Sequence, residues 1–265
     1  MGVFRFKKFS VVNERSAMKV NTDGVLLGAV MTVCPQDRIL LDIGTGTGTI
    51  ALMAAQRLSE IMGGFPSEPG MTVGETEMAE CPSLQGFRID AIDIDEPSAS
   101  EAGMNFRNSP WTGHLKVLNL SLADYSASLP EDRRFDLIFS NPPYFEDSLT
   151  APDERKSTAR HTSEGLSYRD IFEFATKRLT EYGRVALILP ADQEMALTRH
   201  ARMCGLHLFR MTRVRTVPRK APGRIIAEFS RHRTDTPQDT VLTIQDEGKY
   251  TQEYLSLTHD FYLFA

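Results

Sequence analysis

Three cysteines, one tryptophan and no long apolar run set the first limits on this 265-residue chain. Cys34, Cys81 and Cys204 are odd in number and far apart, with no C-x-x-C pair. That argues against a disulfide-built scaffold and a cysteine zinc site, and for a reducing compartment. No metal is expected. The longest uncharged stretch, Gly24 to Gln36, is well short of the roughly 20 residues a membrane-spanning helix needs. The opening MGVFRFKKFS has no apolar signal core, so a cytoplasmic protein is expected. At 41% hydrophobic and 25% charged residues, the composition is that of a globular domain, neither disordered nor fibrous.

A net charge of −5 argues against a nucleic-acid partner, but the charges are segregated. Residues 199–233 hold ten Lys/Arg against the single acid Glu228, and residues 1–20 hold five against Glu14. Residues 59–87 hold five Glu and no base. Two basic zones are therefore hidden in an acidic sum.

Ile39–Ile43 is an apolar run that ends in Gly-Thr-Gly-Thr-Gly, the pattern of a buried strand and a tight turn. Strand patterns recur at Arg88–Asp93, Leu115–Leu120, Phe135–Ser140 and Arg184–Leu189. Helical spacing lies between them at Ile50–Ile61, Glu96–Arg107 and Tyr168–Leu179. Such alternation predicts a doubly wound α/β fold, Rossmann-like, with a mainly parallel sheet of seven strands. After Ala191–Cys204, the segments Leu206–Val217, Ile225–Phe229 and Val241–Ile244 read as a late antiparallel addition. One domain is expected over 1–265. Residues 59–87, rich in Gly, Pro and Glu, read as a mobile surface insertion.

The turn after the first strand carries Gly44, Gly46 and Gly48. Glycine serves where φ is positive or where a ligand must come close to the backbone. A dinucleotide fingerprint would want glycine at Thr49. Asp42, just before the turn, would repel a pyrophosphate but can face an ammonium group. This favours S-adenosylmethionine over a nicotinamide dinucleotide. Asp93, at the end of the second strand, can accept ribose hydroxyls, and Ile94 can pack on adenine. Asp95 competes for the ribose but lies beyond the strand.

Asn141, Pro142, Pro143 and Tyr144 follow the fourth strand, at the carboxyl edge where such sheets bind ligands. An exocyclic amine on an aromatic base is a poor nucleophile because its lone pair is delocalised. The Asn141 side-chain oxygen and the Pro142 carbonyl can each accept one N–H, which frees that lone pair for a sulfonium methyl. The prolines fix φ and remove donors. Tyr144 offers a face for base stacking, worth roughly 1–3 kcal/mol.

Together these residues resemble the class I S-adenosylmethionine-dependent methyltransferases that carry N-P-P-Y. FKKFSVVNERSAMKVNTDGVLLGAV (6–30), NFRNSPW (105–111) and YTQEYLSLTHDFYLFA (250–265) resemble the bacterial tRNA(Val) adenine-N6-methyltransferases. The resemblance spans nearly the whole chain outside 59–87. It implies methylation of an adenine beside the anticodon of a valine tRNA; separately, a monomer is expected. It places Asp42, Gly44, Gly46 and Gly48 at the methionine end of the donor and Asp93 at its ribose. Lys19, Thr22 and Asp23 would lie over the donor, with residues 1–38 as a cap. Asn141–Tyr144 would hold the target base. Relatives often carry an Asp for the donor adenine after the third strand. Ser121 stands there instead, with the Leu122 N–H available to adenine N1.

Arg213, Arg215, Arg219, Lys220 and Arg224 lie in or beside VRTVPRKAPGR, which reads as an exposed hairpin able to hold RNA phosphates. Arg199, Arg202 and Arg210, with Arg5, Lys7 and Lys8, can add to that face. Rival readings are methylation of a release-factor glutamine amide or of guanine N2 in ribosomal RNA. Only 38 residues precede the first strand, few for the helical domain that goes with the former. Tyr144, where the latter tends to have Phe, disfavours it.

Overall fold

A computed structural model describes residues 2–16, 18–63, 86–143 and 166–263. The mobility expected of 59–87 falls mainly on residues outside these. The ends of that stretch are more ordered than the composition implied. Ser59 is buried in a helix that runs to Ile61, and Phe87 is buried against the His114 ring, 4.4 Å between centroids.

The chain opens with a hairpin, β1 (Val3–Arg5) and β2 (Ser10–Val12), and a first helix, α1 (Thr22–Val30), capped by the Asn21 side chain on the Gly24 N–H. Then come β3 (Ile39–Ile43), α2 (Thr49–Ile61), β4 (Arg88–Asp93), α3 (Glu96–Arg107), β5 (Leu115–Asn119), α4 (Leu122–Ser128) and β6 (Phe135–Ser140). The later half adds α5 (Tyr168–Arg178), β7 (Leu179–Pro190), α6 (Glu194–Met203), β8 (His207–Arg215), β9 (Arg224–Ser230), β10 (Gln238–Thr243) and, after a short ribbon, α7 (Gln252–Thr258).

The main sheet has the order β10-β8-β9-β7-β6-β3-β4-β5. The sheet has eight strands rather than the seven expected, and the Val241–Ile244 segment supplies β10. The late segments are not all antiparallel as expected. β9 runs antiparallel to both β7 and β8, but β10 lies parallel to β8. The fifth strand also starts earlier than its apolar core suggested. The helix stops at Arg178, Leu179 pairs with Phe135, and a register shift follows before Arg184 pairs with Leu137.

The buried strands explain the run-like patterns. Leu40, Leu41, Ile89, Ala91, Leu137, Ile138, Val185 and Leu187 are fully covered, because helices pack on both faces. One core holds α1, α2 and the Ala102/Phe106 face of α3 with the N-terminal hairpin and Tyr254 of α7. The other holds Tyr125 of α4, α5 and α6. Within the stretch expected as a cap, 1–38, Met18–Asn21 lie beside the glycine turn, while the hairpin packs away from it. Its Val12 and the Phe6–Phe9 stack pack on α3, Trp111 and Tyr262, because the rings gain more from that apolar surface than from a polar rim.

Register fixes one functional rim. Ile43 pairs with Ile92 and Ser140, and Ser140 with Leu187. Pro190 and Val214 both pair with Arg224. The carboxyl ends of four parallel strands and the 216–223 turn therefore share one edge of the sheet.

Candidate active site

At that rim the chain leaves β3 through Gly44, Gly46 and Gly48, whose φ values are 71°, 56° and 81°. A side chain in this region costs about 1–2 kcal/mol. The Gly44 and Thr45 N–H groups both donate to the Ile92 carbonyl, at 2.9 and 3.0 Å. The Gly46 N–H donates to Asp93 Oδ2 at 2.8 Å, and the Asp95 N–H to Asp93 Oδ1 at 2.9 Å. The glycine turn and Asp93 are thus one hydrogen-bonded unit. Burial raises the Asp93 pKa, and these two N–H groups oppose the rise. Each Asp93 oxygen keeps a lone pair for a further donor. Asn119, which sequence reasoning missed, donates to the Asp93 and Ile94 carbonyls at 2.9 and 3.0 Å and fixes this corner. Ile94 beside it is 76% exposed.

Asp42 lies beneath the turn, fully buried, rather than open to a ligand's ammonium group as expected. The β3 register turns its side chain into the protein, where Thr45 Oγ1 donates to Oδ2 at 2.7 Å. Its Oδ1 closes no hydrogen bond. Burial pushes its pKa up to about 7, although the Thr45 hydroxyl and the Ala51 N–H favour the ionised form. Through Thr45, Asp42 ties the end of β3 to the turn.

A cavity above the turn joins the two motifs. It is lined by Met18–Asn21 and Gly24, by Gly44–Thr47, Thr49 and Ile50, and by Asn141. Asn141 and Pro142 are buried where β6 ends, and Pro143 is exposed. Ser140 Oγ donates to the Ile43 carbonyl at 2.6 Å and ties the two strand ends together. Asn141 Nδ2 donates to Met18 Sδ at 3.6 Å, so Met18 stands in the corner between them. A sulfonium nucleoside fits this donor set. Gly44 and Gly46 line the cavity with bare backbone, and Asp93, tied to the same turn, keeps lone pairs that can accept from hydroxyls.

Other expected residues sit differently. A Cβ on Gly48 would lie 2.5 Å from Phe106, so this glycine serves the packing of α3 and not the donor. Ser121 caps α4: its hydroxyl accepts from the Asp124 N–H and donates to Asp124 Oδ2, which leaves it poorly placed for an adenine. Leu122 follows as the first residue of α4. The Asp95 carboxylate is taken up as the cap of α3. Lys19 lines the cavity, but its Nζ donates to the Glu14 carbonyl at 2.5 Å. Thr22 heads α1 and is exposed. Asp23, assigned to the donor, and Arg224, assigned to RNA, form an ion pair with each other at 2.8 Å. Tyr144 lies outside the described residues.

The basic zone is smaller than its sequence. Arg213 is held by Glu194 and Asp239, which raise its pKa further, so it offers no spare charge to a phosphate. Arg210 is paired with buried Glu228 and donates to the Val30 carbonyl. Lys8 pairs with Glu60, about 16 Å along α2 from its first turn at the rim, and Lys7 donates to the His259 carbonyl. Glu228 lies within the basic stretch, but Glu194, Asp239 and Glu60 lie outside both stretches, where a local count does not find them. Arg215 bonds Thr243 Oγ1 and the Pro218 carbonyl, while Arg219 and Lys220 are exposed in the rim turn.

A family model described as an RMKL-like methyltransferase domain matches residues 30–219. The tRNA1(Val) (adenine(37)-N6)-methyltransferase of Parabacteroides distasonis is 38% identical over 98% of this chain and 97% of its own. That of Trichodesmium erythraeum is 36% identical, again over 98% and 97%. The chain belongs to this family. Among solved structures, one described as a predicted O-methyltransferase from Agrobacterium tumefaciens matches with a TM-score of 0.59 at 16% identity, covering 90% of this chain and 96% of that one. That likeness extends to the fold alone. The N-F-R-N segment through which the chain resembles the tRNA1(Val) methyltransferases has a structural reason here. Asn105 accepts from the Val12 N–H at 2.8 Å and donates to the Thr47 carbonyl at 2.9 Å, clamping the N-terminal segment to the glycine turn.

Proposed function

We propose that this protein transfers the methyl group of S-adenosylmethionine to the exocyclic N6 of adenine 37 in a valine tRNA, as its relatives' names describe. The observation that carries this reading is that Asn141 and the Gly44–Gly46 turn, far apart in sequence, line one cavity. The donor supplies an electrophilic methyl carbon and a thioether leaving group. Asp93 would receive its ribose hydroxyls, Ile94 would cover one face of its adenine, and the Leu122 N–H would meet adenine N1. The Asn141 oxygen and the Pro142 carbonyl accept the two amine hydrogens, and Pro143 and Tyr144 hold the base plane. The nitrogen lone pair then forms the N–C bond as the C–S bond breaks, and the N6 cation that results releases a proton to water. Arg219, Lys220 and Arg215 take RNA phosphates at the rim.

The test is incubation with radiolabelled methyl donor and total tRNA from a strain lacking the activity, then digestion to nucleosides. Label is expected in N6-methyladenosine. Label in guanosine, in protein or nowhere contradicts the proposal.

A further inference from the structure

Glu101 is a carboxylate in the middle of α3 that is 1% exposed. Taking such a group out of water costs several kcal/mol unless its lone pairs are well met. Here they are met by backbone. Oε2 accepts from the Glu14 and Arg15 N–H groups at 2.8 and 2.7 Å, and Oε1 from the Ser16 N–H at 3.2 Å. Three consecutive N–H groups of one bent segment therefore converge on one side chain of another element. Ser98, one turn before it on α3, adds a hydroxyl contact to Ser16 at 2.9 Å.

A helix does not need this residue to pack on a sheet. The segment that it holds does need it, for residues 14–16 have no strand partner there. That segment in turn builds the cavity wall. Ser16 Oγ donates to the Met18 carbonyl at 3.0 Å, and Lys19 Nζ to the Glu14 carbonyl. The Val20 N–H donates to Asn13 Oδ1 at 3.1 Å. Met18–Asn21 then line the cavity opposite the glycine turn. The chain of contacts runs from α3 through 14–16 to the wall.

We propose that Glu101 is a positioning residue for the methyl donor, holding the N-terminal wall of its cavity through the Glu14, Arg15 and Ser16 N–H groups. This rests on the reading of the cavity as the donor site. Glu101 touches neither donor nor base. It acts on donor affinity because a wall that is already ordered costs the ligand less to bind.

The test is Glu101→Gln, which keeps the shape but turns an N–H donor toward backbone donors. Binding of S-adenosylhomocysteine is measured by calorimetry, and amide hydrogen exchange is followed across the chain. We expect the dissociation constant and the donor KM to rise about tenfold, with kcat at saturating donor within about threefold of the parent. Exchange rises in residues 12–21 and stays unchanged in α3 and β4. Glu101→Asp, a carboxylate with shorter reach, recovers part of the affinity. Unchanged affinity in Glu101→Gln overturns the proposal. So does faster exchange throughout the protein, which would mark a purely structural residue. Failure of the parent to bind S-adenosylhomocysteine overturns instead the reading of the cavity.

Discussion

Glycines of one turn serve different ends, and substitution separates them. Alanine at Gly46 would meet only ordinary contacts, 3.6 Å from the Met18 carbonyl and Ser16 Oγ. Its cost is the positive φ, about 1–2 kcal/mol, together with a methyl group facing the donor. Gly48→Ala adds the overlap with Phe106. We expect Gly46→Ala to fold and lose donor affinity, and Gly48→Ala to lose more melting temperature; equal melting temperatures would refute the division. Asp42 gives a pH signature. Burial lifts its pKa from 3.8 to about 7, so the folded state holds a proton that the unfolded chain releases. Its contribution is most favourable below pH 4 and declines until pH 7. Asp42→Asn, which keeps an acceptor for Thr45, should match the parent near pH 4. At pH 8 it should be more stable, by up to about 4 kcal/mol. Denaturant unfolding at the two pH values checks this, and a gap that does not widen with pH would contradict it.

At the scale of elements, strands and helices with strong periodicity are readable from sequence, whereas relations among distant elements are not. Ile39–Ile43, Arg88–Asp93, Glu96–Arg107 and Phe135–Ser140 have the same bounds in the structure as their apolar patterns imply. Only the last two of the six residues of β10, Leu242 and Thr243, are buried, so its apolar signal covers just its end and gives no hint of a parallel partner. Glu101 and Asn119 carry no sign that their lone pairs or N–H groups serve other elements. The arginines of 199–233 look alike in sequence, and only the fold tells paired from exposed. This yields a prediction for the rim turn. Arg219→Ala and Lys220→Ala should each weaken tRNA binding and reduce the slope of log affinity against log salt by roughly one. Arg213→Ala should leave that slope unchanged and lower the melting temperature, because Glu194 and Asp239 lose their common partner. A shallower slope for Arg213→Ala would restore it to the RNA face.

For the whole molecule, topology brings the two halves of the chemistry together. Adjacent parallel strands β3 and β6 deliver the glycine turn and Asn141 to one rim, and the antiparallel β8–β9 turn brings Arg219 and Lys220 to the same edge. Among the described residues no helix is long and apolar enough to cross a membrane. The acidic total charge and the basic rim coexist because Arg184, Arg210, Arg213 and Arg224 are paired with acids while Arg219 and Lys220 are exposed at the rim. The most direct test of the account is a paired measurement on Asn141→Ala. It should bind S-adenosylhomocysteine within about threefold of the parent while methyl transfer to tRNA falls by a factor on the order of 100 or more. Near-normal transfer, or loss of donor binding with no separate loss of transfer, would contradict a cavity in which the turn holds the donor and Asn141 receives the amine.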